Sequence, residues 1–192
     1  QVEVPELINE TIFYLGQGYA FVWQKINSDI LMNGNNISKN NEFDQYLKRF
    51  SYKFKNENKE FGGYAILNDK EISIVMDIGE SPPARFSPEY QSGSLSFEII
   101  SNGKKLISNC GYYEGKNKKL NELSKSTATH STLIIDDNSS CKFRKIKDNY
   151  LIIDGLKILK KNIIFDENYW KISASHDGYI KKYSVIHERE IE

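Results

Sequence analysis

Ser94-Leu95-Ser96-Phe97-Glu98-Ile99-Ile100-Ser101-Asn102-Gly103-Lys104-Lys105-Leu106-Ile107-Ser108 decides how this chain folds. Leu95, Phe97 and Ile99 alternate with Ser94, Ser96 and Glu98, the period of a strand with one face buried. Asn102-Gly103 then supplies the positive φ angles of a two-residue turn, and 104–108 returns as the partner strand. The pattern repeats on both sides. Residues 64–67 and 72–76 flank Asn68-Asp69-Lys70-Glu71, residues 151–153 and 156–159 flank Asp154-Gly155, and residues 170–176 face 179–186 across Asp177-Gly178. Nearer the start, 19–26 and 29–32 make another candidate pair. Ser81-Pro82-Pro83 and Pro88 mark a loop, and 115–123 reads as a polar excursion rich in Lys and Asn.

Helix signals are few. Phe43, Tyr46, Leu47 and Phe50 recur at helical spacing within 41–54, with Asn40 or Asn41 as cap, and 5–14 is a weaker second. Many short strands joined by Gly and Asn turns predict an all-β fold, an antiparallel β-sandwich with one or two short helices. At 192 residues the chain reads as a single domain, 1–192.

Charge excludes some functions. Lys+Arg and Asp+Glu are both 26, so no global field draws the chain to nucleic acid or anionic lipid. No apolar run approaches the roughly 20 residues of a membrane span. Cys110 and Cys141 match no zinc-knuckle or CxxC spacing; a single disulfide between them is open, and buried free thiols are the expectation. Gln1 in place of Met, without a basic start or apolar core, points to a piece of a longer protein and leaves the compartment unencoded.

The stretch Ser124-Lys125-Ser126-Thr127-Ala128-Thr129-His130-Ser131-Thr132-Leu133-Ile134-Ile135-Asp136-Asp137 places one of three histidines at the mouth of an alternating segment. A strand there would fix the imidazole's direction, and a held imidazole can take a metal, a carboxylate or a proton. A histidine satisfied by neighbouring backbone is the duller alternative. Tyr112 or Tyr113 can stack on a saccharide or serve as an acid, or pack in the core. Arg189, with His187 on the same strand face, can clamp a carboxylate in bidentate fashion or join a cross-strand ion pair, with Glu188 and Glu190 on the other face. His176-Asp177-Gly178-Tyr179 reads as a hairpin turn before it reads as a catalytic string. Lys116, Lys118, Lys119 and Lys125 can attract an acidic glycan or sit solvated.

In this order the segments from Gly62 onward resemble the C-terminal β-sandwich of the heparinase II/III-like family. The matching pieces are Gly63-Tyr64, Val75-Met76-Asp77-Ile78-Gly79, Gly93-Ser94-Leu95-Ser96-Phe97-Glu98, Ile107-Ser108-Asn109-Cys110-Gly111, residues 126–133 with Asp136, His176-Asp177-Gly178-Tyr179 and His187-Glu188-Arg189. They span about two-thirds of the chain, and residues before Gly62 resemble the family only faintly. The resemblance implies β-elimination on uronic-acid polysaccharides, in which a base takes the proton beside the carboxylate and an acid protonates the leaving oxygen. It implies His130 and Tyr112 as catalytic candidates, with Gln91, Asn109, Arg189 and His187 around the substrate. It also implies an acidic polysaccharide as partner, and an N-terminal helical toroid domain, absent here, that completes the site. Family zinc ligands of the His, Asp, His kind align with Gln91, Asn109 and His130. Two neutral amides make a degenerate zinc site with His130 as the remaining ligand, so no metal cofactor is expected. A non-catalytic carbohydrate-binding or structural support domain is the alternative. A bacterial origin follows from the same resemblance, with periplasm and cytoplasm both open.

Overall fold

A computed structural model describes residues 59–192, apart from 70, 103, 114–115, 148 and 168, together with Arg49. The expected helices at 5–14 and 41–54 and the hairpin at 19–32 lie outside the described residues, Arg49 excepted. Among the described residues ten strands dominate: β1 (Lys59–Phe61), β2 (Tyr64–Asn68), β3 (Ile72–Asp77), β4 (Phe97–Ser101), β5 (Lys104–Ile107), β6 (Lys142–Ile146), β7 (Asn149–Asp154), β8 (Ile158–Asp166), β9 (Tyr169–His176) and β10 (His187–Ile191). Two α-helical segments lie between them, α1 (Lys118–Lys125) and the single turn α2 (Ile180–Tyr183). All pairing is antiparallel, in a five-stranded sheet β1-β2-β3-β4-β5, a three-stranded sheet β10-β9-β8 and the ribbon β6-β7. The fold is the antiparallel β-sandwich that the alternation predicts.

One apolar layer joins the two larger sheets. From the five-stranded sheet and its flanks come Ala65, Leu67, Ile74, Met76, Ile78 and Leu95, packed on Ile172 and Ala174 of β9. Register puts them together: Ala65 lies opposite Met76, and Leu67 opposite Ile74. Alternation puts Ile66, Val75, Glu98 and Ile100 on the reverse face, where they too are buried. Burying both faces of β3 explains its run of apolar residues, Ile74-Val75-Met76, where a one-sided strand would alternate.

The hairpins β2-β3 and β4-β5 follow the sequence reading, and Asn102 takes φ 48° at its turn. Strand β4 starts at Phe97, three residues later than its alternation suggests. Leu95 instead sits at φ 60°, a left-handed conformation costing about 1–2 kcal/mol outside glycine. Its fully buried side chain offsets that cost by leaving water.

Other expectations need correction. Asp154-Gly155 turns no hairpin; β7 pairs with β6 and β8 with β9, so the chain crosses between sheets there. Gly155 is required at this crossing, because a Cβ would fall 2.1 Å from Ser81 Oγ. Nor is Asp177-Gly178 a two-residue turn, since β10 begins only at His187, after α2. Tyr179 leaves the strand path to bury its ring, donating its hydroxyl to Leu133 O at 2.7 Å, and Asp177 Oδ1 accepts from Lys157 N–H at 2.7 Å. From Lys118 the polar excursion 115–123 is helical, the greater part of α1, capped by Asn117, whose Oδ1 accepts from the N–H groups of Lys119 and Leu120. Cys110 and Cys141 are both free thiols, Cys110 exposed rather than buried. No described helix is long and apolar enough to cross a membrane.

Candidate functional site

His130 does not open a strand. It ends a 3-10 turn, Thr127–Thr129, and from 131 to 138 the only ladder contact is an isolated bridge between Ile135 and Asn138. Side chains do the work of the missing ladder. Phe97 N–H donates to Ser131 Oγ at 2.9 Å while that hydroxyl donates back to Phe97 O, and Thr132 Oγ1 donates to Ser94 O at 3.0 Å. Beneath the turn, the fully buried Thr127 donates its hydroxyl to Ser92 O at 2.8 Å and accepts from Ser140 N–H at 3.0 Å. Ser92 Oγ in turn accepts from Cys141 N–H at 2.9 Å. The turn is thereby anchored to two separate loops.

This anchoring sets the imidazole. His130 Nδ1 lies 2.9 Å from Ser126 O, and a carbonyl only accepts, so the proton is on Nδ1. Nε2 therefore carries a lone pair; it is buried and makes no hydrogen bond. Burial, partly offset by the Ser126 carbonyl, holds the imidazole pKa below its ordinary value and keeps the ring neutral at pH 7. The ring lies over Gly93, where a Cβ would meet Cδ2 at 2.8 Å, so this approach needs glycine.

Asn109 is next to it. Its Oδ1 accepts from Ser131 N–H at 2.8 Å, its Nδ2 donates to Ser96 Oγ at 3.1 Å, and its backbone N–H donates to Glu98 Oε1 at 3.1 Å. Cys110 N–H reaches Thr129 O at 3.1 Å. Gln91 is buried and donates to Ser124 O at 3.0 Å. Gln91, Asn109 and His130 thus belong to one neighbourhood, joined through residues 93, 96 and 124–131. They do not fit a zinc ion: Asn109 has both ends engaged in the scaffold, Gln91 gives its amide to a carbonyl, and one imidazole lone pair remains. Among the described residues, no three His, Cys, Asp or Glu side chains come together as a metal cluster.

Tyr112 is half-buried beyond Asn109, its hydroxyl accepting from Asn121 Nδ2 at 3.0 Å. Lys125 is no solvated lysine. It is buried, its Nζ donates to Pro88 O and to Tyr90 O at 3.3 Å, and it lies 5.1 Å from the Tyr112 ring centroid and 5.6 Å from that of Phe143. Burial lowers its pKa to about 8.

Arg189 Nη1 donates to Leu95 O at 2.8 Å and to Ser131 O, with the guanidinium 5.0 Å from the Phe97 centroid. The strained Leu95 turn and the His130 segment are therefore held by one side chain, and no carboxylate pairs with it among the described contacts. His187 is buried opposite His176 in the β9-β10 register, with Nδ1 3.1 Å from His176 Nε2. Gly178 N–H donates to His176 Nδ1 at 3.1 Å, which places the His176 proton on Nε2 and makes His187 Nδ1 an acceptor. Burial first, then the neighbouring His187, lowers the His176 pKa to about 4; burial and the Arg189 charge do the same for His187. The ion pair on this ribbon, Lys171 with Glu190 at 2.6 Å, is on the opposite face.

Sequence reasoning missed Ser92, Thr127, Ser131 and the His176 partnership. Serines and threonines in a loop look solvated, and nothing local marks them as buried. α1 did leave a signal, since Asn117 precedes Leu120 and Leu123 as a cap precedes a helical stripe.

A two-layer antiparallel sandwich carrying a neutral imidazole on a side-chain-stitched loop defines the class. The chain belongs to the family "Heparinase II/III-like, C-terminal", whose profile matches residues 58–192. Solved structures share the fold. A crystal structure of heparinase III aligns with TM-score 0.56 and 16% identity, over 92% of this chain and 31% of that one. A heparinase III described as the BT4657 gene product gives 0.52 and 15%, over 95% and 25%. Heparan sulfate lyase HepC from Pedobacter heparinus gives 0.50 and 19%, over 78% and 24%. The chain thus spans a quarter to a third of those proteins. A comparison with curated proteins gave no match.

Proposed function

We propose that this chain is the β-sandwich part of a polysaccharide lyase that cleaves uronic-acid-containing acidic glycans by β-elimination. It works with a helical domain of the same protein and is incomplete for catalysis alone. The observation that carries this reading is His130 Nε2, a buried lone pair whose tautomer is fixed by Ser126 O. Such a group keeps a proton-accepting lone pair that no protein donor occupies. Tyr112, three residues after Asn109 in sequence, is the acid in this reading. Gln91, Asn109 and Arg189 act as positioning residues that hold the segment 124–131 carrying His130, and His187 is engaged with His176, because their polar atoms face other protein groups. The structures titled heparinase III and heparan sulfate lyase make sulfated glycosaminoglycans the first substrates to test.

The assay is the ultraviolet absorbance of unsaturated uronate released by the complete gene product from heparan sulfate, heparin, chondroitin sulfate, hyaluronan and alginate. The expected result is product from at least one glycan. His130→Gln should lower the rate at least about a hundredfold, the usual size of a lost general acid or base, with the melting temperature kept. Lack of product across the panel would overturn the reading. A second reading, a non-catalytic sandwich that binds saccharide or braces another domain, is favoured by the engagement of Asn109 and Arg189 with backbone. It predicts that His130→Gln leaves any elimination unchanged.

A further inference from the structure

A second site lies on the far side of the Thr127 anchor. A cavity of about 90 Å³ opens between the loop 138–142 and α2, lined among others by Asn138, Ser140, Lys142, Asp154, Lys181 and Lys182. Its wall is close-packed, because a Cβ on Gly178 would fall 2.6 Å from Ser140 O. Three lysines face a single carboxylate in this lining, in a chain whose net charge is zero. All three side chains are exposed, and two of the ammonium groups have protein partners. Lys181 Nζ pairs with Asp154 Oδ1, and Lys182 Nζ donates to Asn138 Oδ1 at 2.7 Å and lies 5.1 Å from the Tyr183 ring centroid. Asn138 is itself fixed, donating Nδ2 to Tyr183 Oη at 2.9 Å. Lys142 lies opposite Asp154 in the β6-β7 register. An ammonium has three N–H donors, and the hydrogen bonds of Lys181 and Lys182 each use one. Asp177, which precedes the lining residue Gly178, accepts from Lys157 N–H.

We propose that this cavity binds an anionic substituent, sulfate or carboxylate, of an acidic saccharide, at a site distinct from His130. The volume admits one such group while the sugar ring stays outside, and three ammonium groups against one carboxylate leave a surplus of positive charge for an oxyanion. The proposal rests on the acidic-glycan reading above and deepens it.

Titration calorimetry on the full 192-residue chain with a heparan sulfate tetrasaccharide tests it, using the triple variant Lys142→Ala, Lys181→Ala, Lys182→Ala. The control triple, Lys104→Ala, Lys145→Ala, Lys160→Ala, removes the same charge from exposed positions outside the cavity lining. The cavity triple should weaken binding about tenfold or more and the control less than about twofold, given how little isolated surface charges contribute. Competition by inorganic sulfate identifies sulfate as the group held, and competition by glucuronate alone identifies the carboxylate; each supports the site. Equal losses in both triples, equal affinity for a neutral tetrasaccharide, or no binding by the unaltered chain would overturn it. The two readings fail separately: if His130→Gln abolishes elimination while the cavity triple binds normally, the cavity proposal falls and the lyase reading stands; if no glycan is cleaved while the cavity triple alone loses binding, the lyase reading falls and the cavity stands.

Discussion

Acid should unfold this sandwich through one hydrogen bond, between His187 Nδ1 and His176 Nε2. Both imidazoles are buried and neutral, with folded-state pKa values of about 4 against 6.5 for a free histidine. A proton added to His176 Nδ1 would confront the Gly178 N–H, and one added to His187 Nδ1 would confront the His176 Nε2–H. Because the folded pKa values are depressed, stability from the pair is complete above pH 6.5. It declines as the unfolded chain takes up protons, until the folded state also protonates near pH 4. At pH 5 the loss comes to about 2 kcal/mol for each imidazole and at most about 4 kcal/mol for both. Asp77 works in the opposite direction: burial raises its carboxyl to about 7 against one backbone donor, Gly79 N–H at 2.9 Å, so it favours folding as pH falls. The diagnostic is therefore a difference between proteins. His187→Asn keeps an acceptor where Nδ1 stands and removes one titration, so urea unfolding at pH 7 and pH 5 should show the variant losing about 2 kcal/mol less than the unaltered chain. Equal losses in the two proteins would refute the assignment of this pair.

Two further outcomes follow from the scaffold. Thr127→Val leaves Ser140 N–H and Ser92 O without their hydroxyl partner in a fully buried position, and should lower unfolding free energy by about 2–3 kcal/mol by denaturant titration. Arg189→Lys keeps the charge but cannot span the carbonyls of Leu95 and Ser131 while stacking on Phe97; it should cost about 1–3 kcal/mol and raise amide hydrogen exchange at 95–97 and 130–132.

Fold class was legible because its cause is local. The alternation at 96–100, with Asn102 able to take a positive φ, specifies a strand pair whatever else the chain does, and 64–67 with 72–76 repeats the case. Where a turn signal competed with a burial opportunity, the local rule failed. Gly155 has its reason 74 residues away, in Ser81, and Tyr179 abandons the strand to bury its ring and reach Leu133 O. The neighbourhood of Gln91, Asn109 and His130 was legible as residues but not as chemistry. The amide of Asn109 looks the same in sequence whether it faces a ligand or Ser96 and Ser131.

By itself, then, the sequence determined the strands, the antiparallel pairing of the central hairpins and the family likeness, since all three depend on the order and period of side chains along the backbone. Tertiary structure alone decided that Lys125 is buried between two rings, that Thr127 anchors the histidine turn, and that the proton of His130 is on Nδ1. Each depends on partners distant in sequence or on a geometry that only packing fixes, and in a dry interior an unmatched donor or charge costs enough to dictate where those partners go.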